Sequence, residues 1–355
     1  MKRRMQNAVS WGLVLVFLFL FLARAKDTRA GVAAGLSLWA QGALPALFPF
    51  FVLSGLITRL RLYEGLGRAA GPLMRRVFGL PADGAAALLL GLLGGYPVGA
   101  QTAAQLYRQG RLTARQALRL CAFCNNTGPA FLIGMAGCTV FSSLRTGVLL
   151  YAIHVLSALA NGLIWRLAAG DESRALPARP AGERPPAFFS ALTQSVTGAL
   201  GSCLNLAGFV LFFSCLLALL PQGRVFLPGV VELTAGVMAL QGAPYPLPTL
   251  LIAASFFLAF GSLSVLCQTI AVLDEAGLDA LPAVLGKLLH GVLAAALTAL
   301  CLPLFDLAAP AFAPLEPLPA GPLPALGLSL LLCLPCVLVL ILLEKTLGNH
   351  RRHGL

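Results

Sequence analysis

Apolar residues fall in long blocks at about Leu36–Leu60, Ala85–Leu106, Ala117–Phe141, Gly147–Leu167 and Cys203–Leu220, and again at Val230–Leu240, Leu247–Leu273, Ala283–Leu304 and Leu323–Leu343. About 20 apolar residues carry a helix across the hydrocarbon core of a bilayer, so blocks of this length predict membrane-crossing helices. The blocks 147–167 and 323–343 are uninterrupted. Others are cut in the middle, by Pro45 and Pro49, by Gly94-Gly95-Tyr96-Pro97, by Asn125-Asn126-Thr127-Gly128-Pro129 and by Gly261-Ser262-Leu263-Ser264. A shorter run, Trp11–Leu22, follows Lys2, Arg3 and Arg4 and precedes Ala23-Arg24-Ala25, the outline of a signal peptide. Because further spans follow directly, the expectation is a retained signal-anchor helix.

Composition agrees with the pattern. Of 355 residues, 58% are hydrophobic and 11% charged, and the mean hydropathy is +0.87. Soluble domains carry about a quarter charged residues, which argues against a soluble enzyme. The formal charge of +12 would suggest nucleic acid in a soluble protein. Here the basic residues edge the apolar blocks, as topology signals do, and no nucleic-acid partner is expected. Nine cysteines include the pairs Cys121/Cys124 and Cys333/Cys336. They lack the polar surroundings that zinc or redox chemistry needs, so they read as small buried hydrophobes, with no metal and no cofactor.

Polar stretches divide the chain. Residues 1–30 form the signal-anchor helix and loop, 31–168 a first membrane repeat, 169–186 a polar linker and 187–305 a second repeat. Residues 306–355 hold a Pro-rich loop, a terminal helix and a basic tail. The two repeats are visible within the sequence. Residues 94–110 (GGYPVGAQTAAQLYRQG) and 261–277 (GSLSVLCQTIAVLDEAG), offset by 167, agree at seven of seventeen positions, the Gln-Thr pairs Gln101-Thr102 and Gln268-Thr269 among them. Arg108, Arg111, Arg115 and Arg119 follow the first copy, whereas Asp274, Glu275 and Asp279 follow the second. Since Lys and Arg gather on the cytoplasmic side, the two copies are expected to end on opposite faces. Interrupted spans at corresponding places of inverted repeats mark a secondary transporter. The fold expected is thus an all-α polytopic membrane protein of two inverted repeats with broken or re-entrant helices.

An interruption inside a bilayer leaves N–H and C=O groups unpaired unless protein or water meets them, and is tolerated where it lines a cavity. The candidate substrate site is therefore Gly95, Tyr96, Pro97, Gln101 and Thr102 at one break, and Asn125, Asn126, Thr127, Gly128 and Pro129 at the next. Ser262, Ser264, Gln268 and Thr269 complete it in the second half. Pro97 and Pro129 suit the first turn of a half-helix, whose free N–H groups attract an anion. Packed Gly/Pro kinks with locally bonded Ser, Thr and Asn would use the same residues, and the two glutamines suit either a cavity or interhelical hydrogen bonds. Glu232 and Thr234 form an intramembrane polar pair, suited to a proton or a cation unless Glu232 only edges its span. Lys287 and His290 share a helical face and suit a counter-charge, although Lys287 could also snorkel to the interface. His154, alone in an apolar run, reads as a packed helix residue. No nucleophile elbow, zinc-protease motif or Walker sequence is found, so no enzyme activity is expected.

The stretches LWAQGALPALFPFF at 38–51, GGYPVGAQ at 94–101 and CAFCNNTGPAF at 121–131, with ELTAG at 232–236 and GSLSV at 261–265, resemble the YlbJ-type sporulation integral membrane proteins. That group carries the nucleoside-recognition (Gate) domain and is distantly like concentrative nucleoside transporters. The resemblance, from about residue 30 to 305, implies a role in spore formation. It implies movement of dipicolinic acid, a small aromatic dianion, from the mother cell across the outer forespore membrane. The same polar groups would also suit a nucleoside, and a non-transport assembly factor is the third reading. Transport predicts that Gln101→Ala, Asn126→Ala and Gln268→Ala each abolish accumulation. The partners expected are this small molecule and the lipid bilayer, with oligomeric state left open.

The inverted arrangement makes a direct prediction. Single cysteines at Gln109 and Ala276 should react with a membrane-impermeant maleimide from opposite faces, and labelling of both from one face would refute inversion.

Overall fold

The computed structural model describes residues 2–62, 65, 70–174, 185–220 and 223–305. Among the described residues every regular element is helical. The terminal apolar block, the Pro-rich loop before it and the pair Cys333/Cys336 lie outside them.

Helix α1 (Lys2–Ala23) ends at Arg24, and α2 (Ala25–Leu38) departs from it at 96°. Trp11 and Phe19 of α1 are 65% and 70% exposed, as an apolar helix facing lipid requires, while Phe17 and Phe21 pack edge-on against Phe212. Helix α2 runs through a wide π turn (Trp39–Ala43) into α3 (Leu44–Arg59). The interruption expected at Pro45 and Pro49 is therefore not a break. Pro45 occupies the first turn of α3, and the Leu44 N–H reaches back five residues to Trp39 O. The wider turn accommodates the missing proline N–H groups without parting the helix.

The next elements are short. After a π turn (Met74–Phe78) come α4 (Gly84–Gly94), α5 (Val98–Arg108), α6 (Ala114–Cys124) and a π-helical segment (Ala130–Val140). At 1.5 Å per residue an 11-residue helix spans about 16 Å, half of the hydrocarbon core. The expected spans Ala85–Leu106 and Ala117–Phe141 are thus each replaced by two half-length pieces. Helices α7 (Leu144–Ala169) and α8 (Phe188–Leu219) follow, then α9 (Leu227–Val231) and α10 (Leu233–Met238), which split the block expected at Val230–Leu240. The described chain closes with α11 (Leu247–Phe260), α12 (Ser262–Glu275), α13 (Leu281–Leu300) and a 3-10 turn (Leu302–Leu304).

Among the described residues four helical stretches are long and apolar enough to cross a membrane: Leu144–Ala169, Phe188–Leu219, Leu247–Glu275 and Leu281–Leu300, with a fifth if the bent α1–α2 pair counts as one span. Their burial separates them. The 247–275 stretch is 89% buried within the protein and the 188–219 stretch 28%. An apolar helix covered on every side is the axis of the bundle, and one covered on a single side is its lipid-facing wall. The axis packs Phe256 and Phe260 against Gly291 of α13 and Phe257 against Gly229 of α9.

The two stretches matched in the sequence follow the same local course. Each has a helix, a break at Gly95 in the first and Gly261 in the second, and a second helix, and each ends on a left-handed glycine, Gly110 (φ 69°) and Gly277 (φ 69°). In each, the threonine hydroxyl donates to the carbonyl four residues back: Thr102 to Val98 at 2.8 Å and Thr269 to Val265 at 2.9 Å. The basic flank of the first stretch also has a structural part. Arg111 pairs with Asp83 at 2.8 Å. Arg115 and Arg119 pair with Glu172 at the start of the linker, and Gln116 Nε2 donates to Glu172 O at 2.9 Å.

Close backbone approach fixes one packing point. A Cβ on Gly99 would stand 2.1 Å from Cys124 O, whereas nothing lies within 4 Å of one on Gly134. Gly99→Ala should therefore abolish the monodisperse protein peak in detergent size-exclusion chromatography, and Gly134→Ala should leave it intact.

Candidate functional site

Four helix breaks converge: Gly95–Pro97 between α4 and α5, Asn125–Pro129 after α6, Glu232 between α9 and α10, and Gly261 between α11 and α12. Each break exposes carbonyls at the end of one helix and amides at the start of the next. Side chains from other elements meet them. Leu258 O, in the last turn of α11, accepts from the Tyr96 hydroxyl at 3.2 Å and from the Thr127 hydroxyl at 2.6 Å. Leu92 O, in the last turn of α4, accepts from the Tyr151 hydroxyl at 3.2 Å. At the end of α6, Ala122 O accepts from Asn161 Nδ2 and Phe123 O from Asn126 Nδ2, both at 2.9 Å. Asn125 bridges the two halves: its Oδ1 accepts from Ala100 N at 3.4 Å, and its Nδ2 donates to Thr269 Oγ1 at 2.8 Å.

A cavity of about 40 Å³ remains where the breaks meet. Gly95, Tyr96, Thr127 and Gly128 line it from the first half, and Glu232, Thr234 and Gln268 from the second. Ala43, Leu47, Phe131 and Leu206 make its apolar side. Gln268 is 3% exposed, and its Nε2 has no hydrogen-bond partner among the described residues. Glu232 Oε2 accepts from the Ala235 N–H at 2.7 Å, so the carboxylate caps α10 while it borders the cavity. On the far side of α9 and α10 lies a wider opening of about 640 Å³, bordered by Arg24, Asp27, Arg224, Pro228, Ala235 and Ala239. The two short helices thus lie between a wide vestibule and a much smaller, partly open cavity.

The remaining expected site residues take other places. Asn125, Asn126 and Thr269 are buried in the break network and do not border the cavity. Thr102 is buried and bonds its own helix. Pro97 and Pro129 stand as N-caps, of α5 and of the π segment. The amides offered to an anion are partly engaged within the protein: Ala100 with Asn125, and Leu132 with Gly128 O at 3.1 Å. Ser262 and Ser264 are fully buried, and neither hydroxyl has a partner among the described residues. Gln101, unlike Gln268 at the matching position, is exposed. The equivalence of the two glutamines in sequence is not an equivalence in space.

Lys287 does not snorkel; it is 1% exposed. Its Nζ donates to Asn125 O at 3.0 Å, lies 3.3 Å from His290 Nδ1 and sits 4.8 Å from the centre of the Tyr96 ring. His290 Nε2 is 3.1 Å from His154 O and 3.0 Å from Ser157 Oγ. His154 is no bystander in the packing, since its Nε2 accepts from the Thr127 N–H at 3.2 Å. Nothing in the sequence spacing brings His154 to Thr127. The signal was only that an apolar helix carried a histidine at all.

Comparison with known proteins bears out the resemblance read from the motifs. Residues 40–152 match the family described as "Gate: Nucleoside recognition". The chain is 28% identical over 325 residues to the sporulation integral membrane protein YlbJ of Bacillus subtilis (strain 168), covering 79% of each chain. No solved structure matches. The Gate region contains the first-half wall of the cavity, and Glu232, Thr234 and Gln268 lie beyond it.

A buried carbonyl left without its donor costs about 1–3 kcal/mol. Asn161→Ala, which strips Ala122 O at the end of α6 of its side-chain donor, should lower stability by about that range in thermal unfolding in detergent. Gln101→Ala should change it by less than about 0.5 kcal/mol.

Proposed function

We propose that this integral membrane protein transports a small polar or anionic metabolite. The cargo we infer is dipicolinic acid, moved from the mother cell towards the forespore across the outer forespore membrane. The observation that carries this reading is the small cavity at the junction of the breaks, into which Gln268 brings a buried amide without a partner among the described residues. Buried polar groups are normally satisfied, and an exception in a cavity wall suits a ligand that supplies the missing acceptor. The likeness to a sporulation membrane protein supports the same reading.

The volume states what the transport cycle must do. About 40 Å³ holds roughly three waters, whereas pockets for drug-sized ligands run to about 300 Å³ and above. The breaks therefore part to admit cargo, and α9 with α10, standing between vestibule and cavity, is the element whose displacement joins the two. Two inverted repeats rocking about the breaks would supply that motion. Glu232 bears on the charge of the cargo. A dicarboxylate enters beside it favourably once Glu232 holds a proton, when its O–H donates to the anion instead of repelling it.

The Gate match favours a second reading, a nucleoside as cargo. The same amide and hydroxyls would then meet ribose and base edges. A non-transport assembly role predicts tolerance of substitutions in the cavity wall.

Uptake by vesicles bearing the purified protein separates the three. Labelled dipicolinate should enter, and uridine should not compete with it. Competition by uridine alone would promote the nucleoside. Loss of a hydrogen bond to a charged group is worth about 1.5–3 kcal/mol, so Gln268→Ala should reduce uptake about 10- to 100-fold at unchanged membrane level. Gln101→Ala, on the exposed face of α5, should leave uptake at the level of the unaltered protein.

A further inference from the structure

Behind the cavity lies a second cluster that substrate contact does not use. We propose that Lys287, His290 and His154 form a proton-holding site whose occupancy is coupled to an anion in the cavity. This rests on the transport reading for its cargo and deepens it by naming what is carried with the anion.

The geometry defines the protonation pattern. A backbone carbonyl only accepts, so His290 Nε2, at 3.1 Å from His154 O, carries the hydrogen. Its Nδ1 is then the bare acceptor that faces Lys287 Nζ at 3.3 Å. His154 Nε2 accepts from Thr127 N–H, so the hydrogen of its neutral ring is on Nδ1, which has no partner among the described residues. The two imidazoles lie 4.6 Å apart, centre to centre. A proton on Lys287 therefore has one ring nitrogen positioned to share it, and a second imidazole beside that ring.

The surroundings make the charge conditional. Lys287 pairs with no carboxylate among the described residues; one carbonyl, one ring nitrogen and the face of Tyr96 are what stabilise an ammonium there. Of the elements packed against α13, α11 brings no titratable side chain, α6 brings Cys121 and Cys124, and α7 brings His154. Arg115 and Arg119 on α6 are held by Glu172, and Tyr151, Arg145 and Arg166 on α7 bond carbonyls elsewhere. A buried charge with so little compensation is unfavourable until a counter-charge arrives. The cavity is where one arrives. Tyr96 borders the cavity with its ring over Lys287, and Thr127 borders it while its N–H holds His154. An anion there favours the protonated cluster, and by reciprocity the protonated cluster tightens the anion.

The test uses the full chain in vesicles that enclose a pH-sensitive dye, with labelled dipicolinate outside. Uptake should acidify the lumen, and its rate should rise as the outer pH falls from about 8 to 6, approaching about tenfold per pH unit, the limit for one proton bound. Lys287→Arg, permanently charged, and His290→Gln should both lose the pH slope and the acidification. Uptake by the unaltered protein without luminal acidification would overturn the proposal. So would a Lys287→Arg slope equal to that of the unaltered protein, with the slope lost instead in Glu232→Gln. Uridine uptake with the same acidification would overturn the coupling to an anion along with the anionic cargo. If neither compound enters, the transport reading fails, and ¹⁵N-histidine spectra of the protein in detergent decide the cluster. A histidine with a bare Nδ1 that shifts on Lys287→Met supports it, and the lack of that shift overturns it.

Discussion

A helix broken inside a bilayer strands carbonyls that water cannot reach, and the rest of this structure depends on how they are met. Leu258 O is the centre of that arrangement. It belongs to the break of the buried axis, and both of its donors, Tyr96 and Thr127, come from breaks in the other half of the chain. Each half therefore completes the hydrogen bonding of the other, and neither set of half-length helices is satisfied alone.

The same requirement explains why the cavity is small and why few of the polar residues reach it. Asn125, Asn126, Asn161 and Tyr151 hold carbonyls or amides at helix ends. With those groups engaged, what remains for a ligand is a wall of two glycines, Tyr96, Thr127, Glu232, Thr234 and Gln268. Tyr96 and Thr127 serve both purposes, since the residues that close the break also border the cavity. A site built in this way is held where it is bonded, and α9 and α10 separate it from the vestibule on their outer side.

The two halves contribute unequally to the site. The matched stretches share the break, the threonine back-bond and the terminal glycine, yet Gln101 is exposed and Gln268 buried. Helix α13 begins 167 residues after α6, the offset of the repeat, but runs unbroken where α6 gives way to the Asn125–Pro129 loop. Its Lys287 and His290 fill the space behind that loop. One half thus supplies the open backbone and the other the buried charge.

The helical class and the positions of three breaks were legible in the sequence, because glycine, proline and asparagine act on the backbone locally, whatever surrounds them. Apolar blocks near span length marked the long helices for the same reason. The break at Glu232 was not legible, since Val-Val-Glu-Leu-Thr carries no residue that disfavours a helix strongly. Neither was the continuity through Pro45 and Pro49, which a widened turn made possible. Which side of a helix a residue faces was decided by its neighbours. Spacing allowed Lys287 to reach the interface as readily as the interior, and it assigned Gln101 and Gln268 the same role. Only the packing of α13 against α6 and α7 buried the lysine beside two histidines. Only the enclosure of the α11–α12 axis turned one glutamine towards the cavity and left the other outside. Local chemistry sets where a chain bends, and contacts distant in sequence set what the bend encloses.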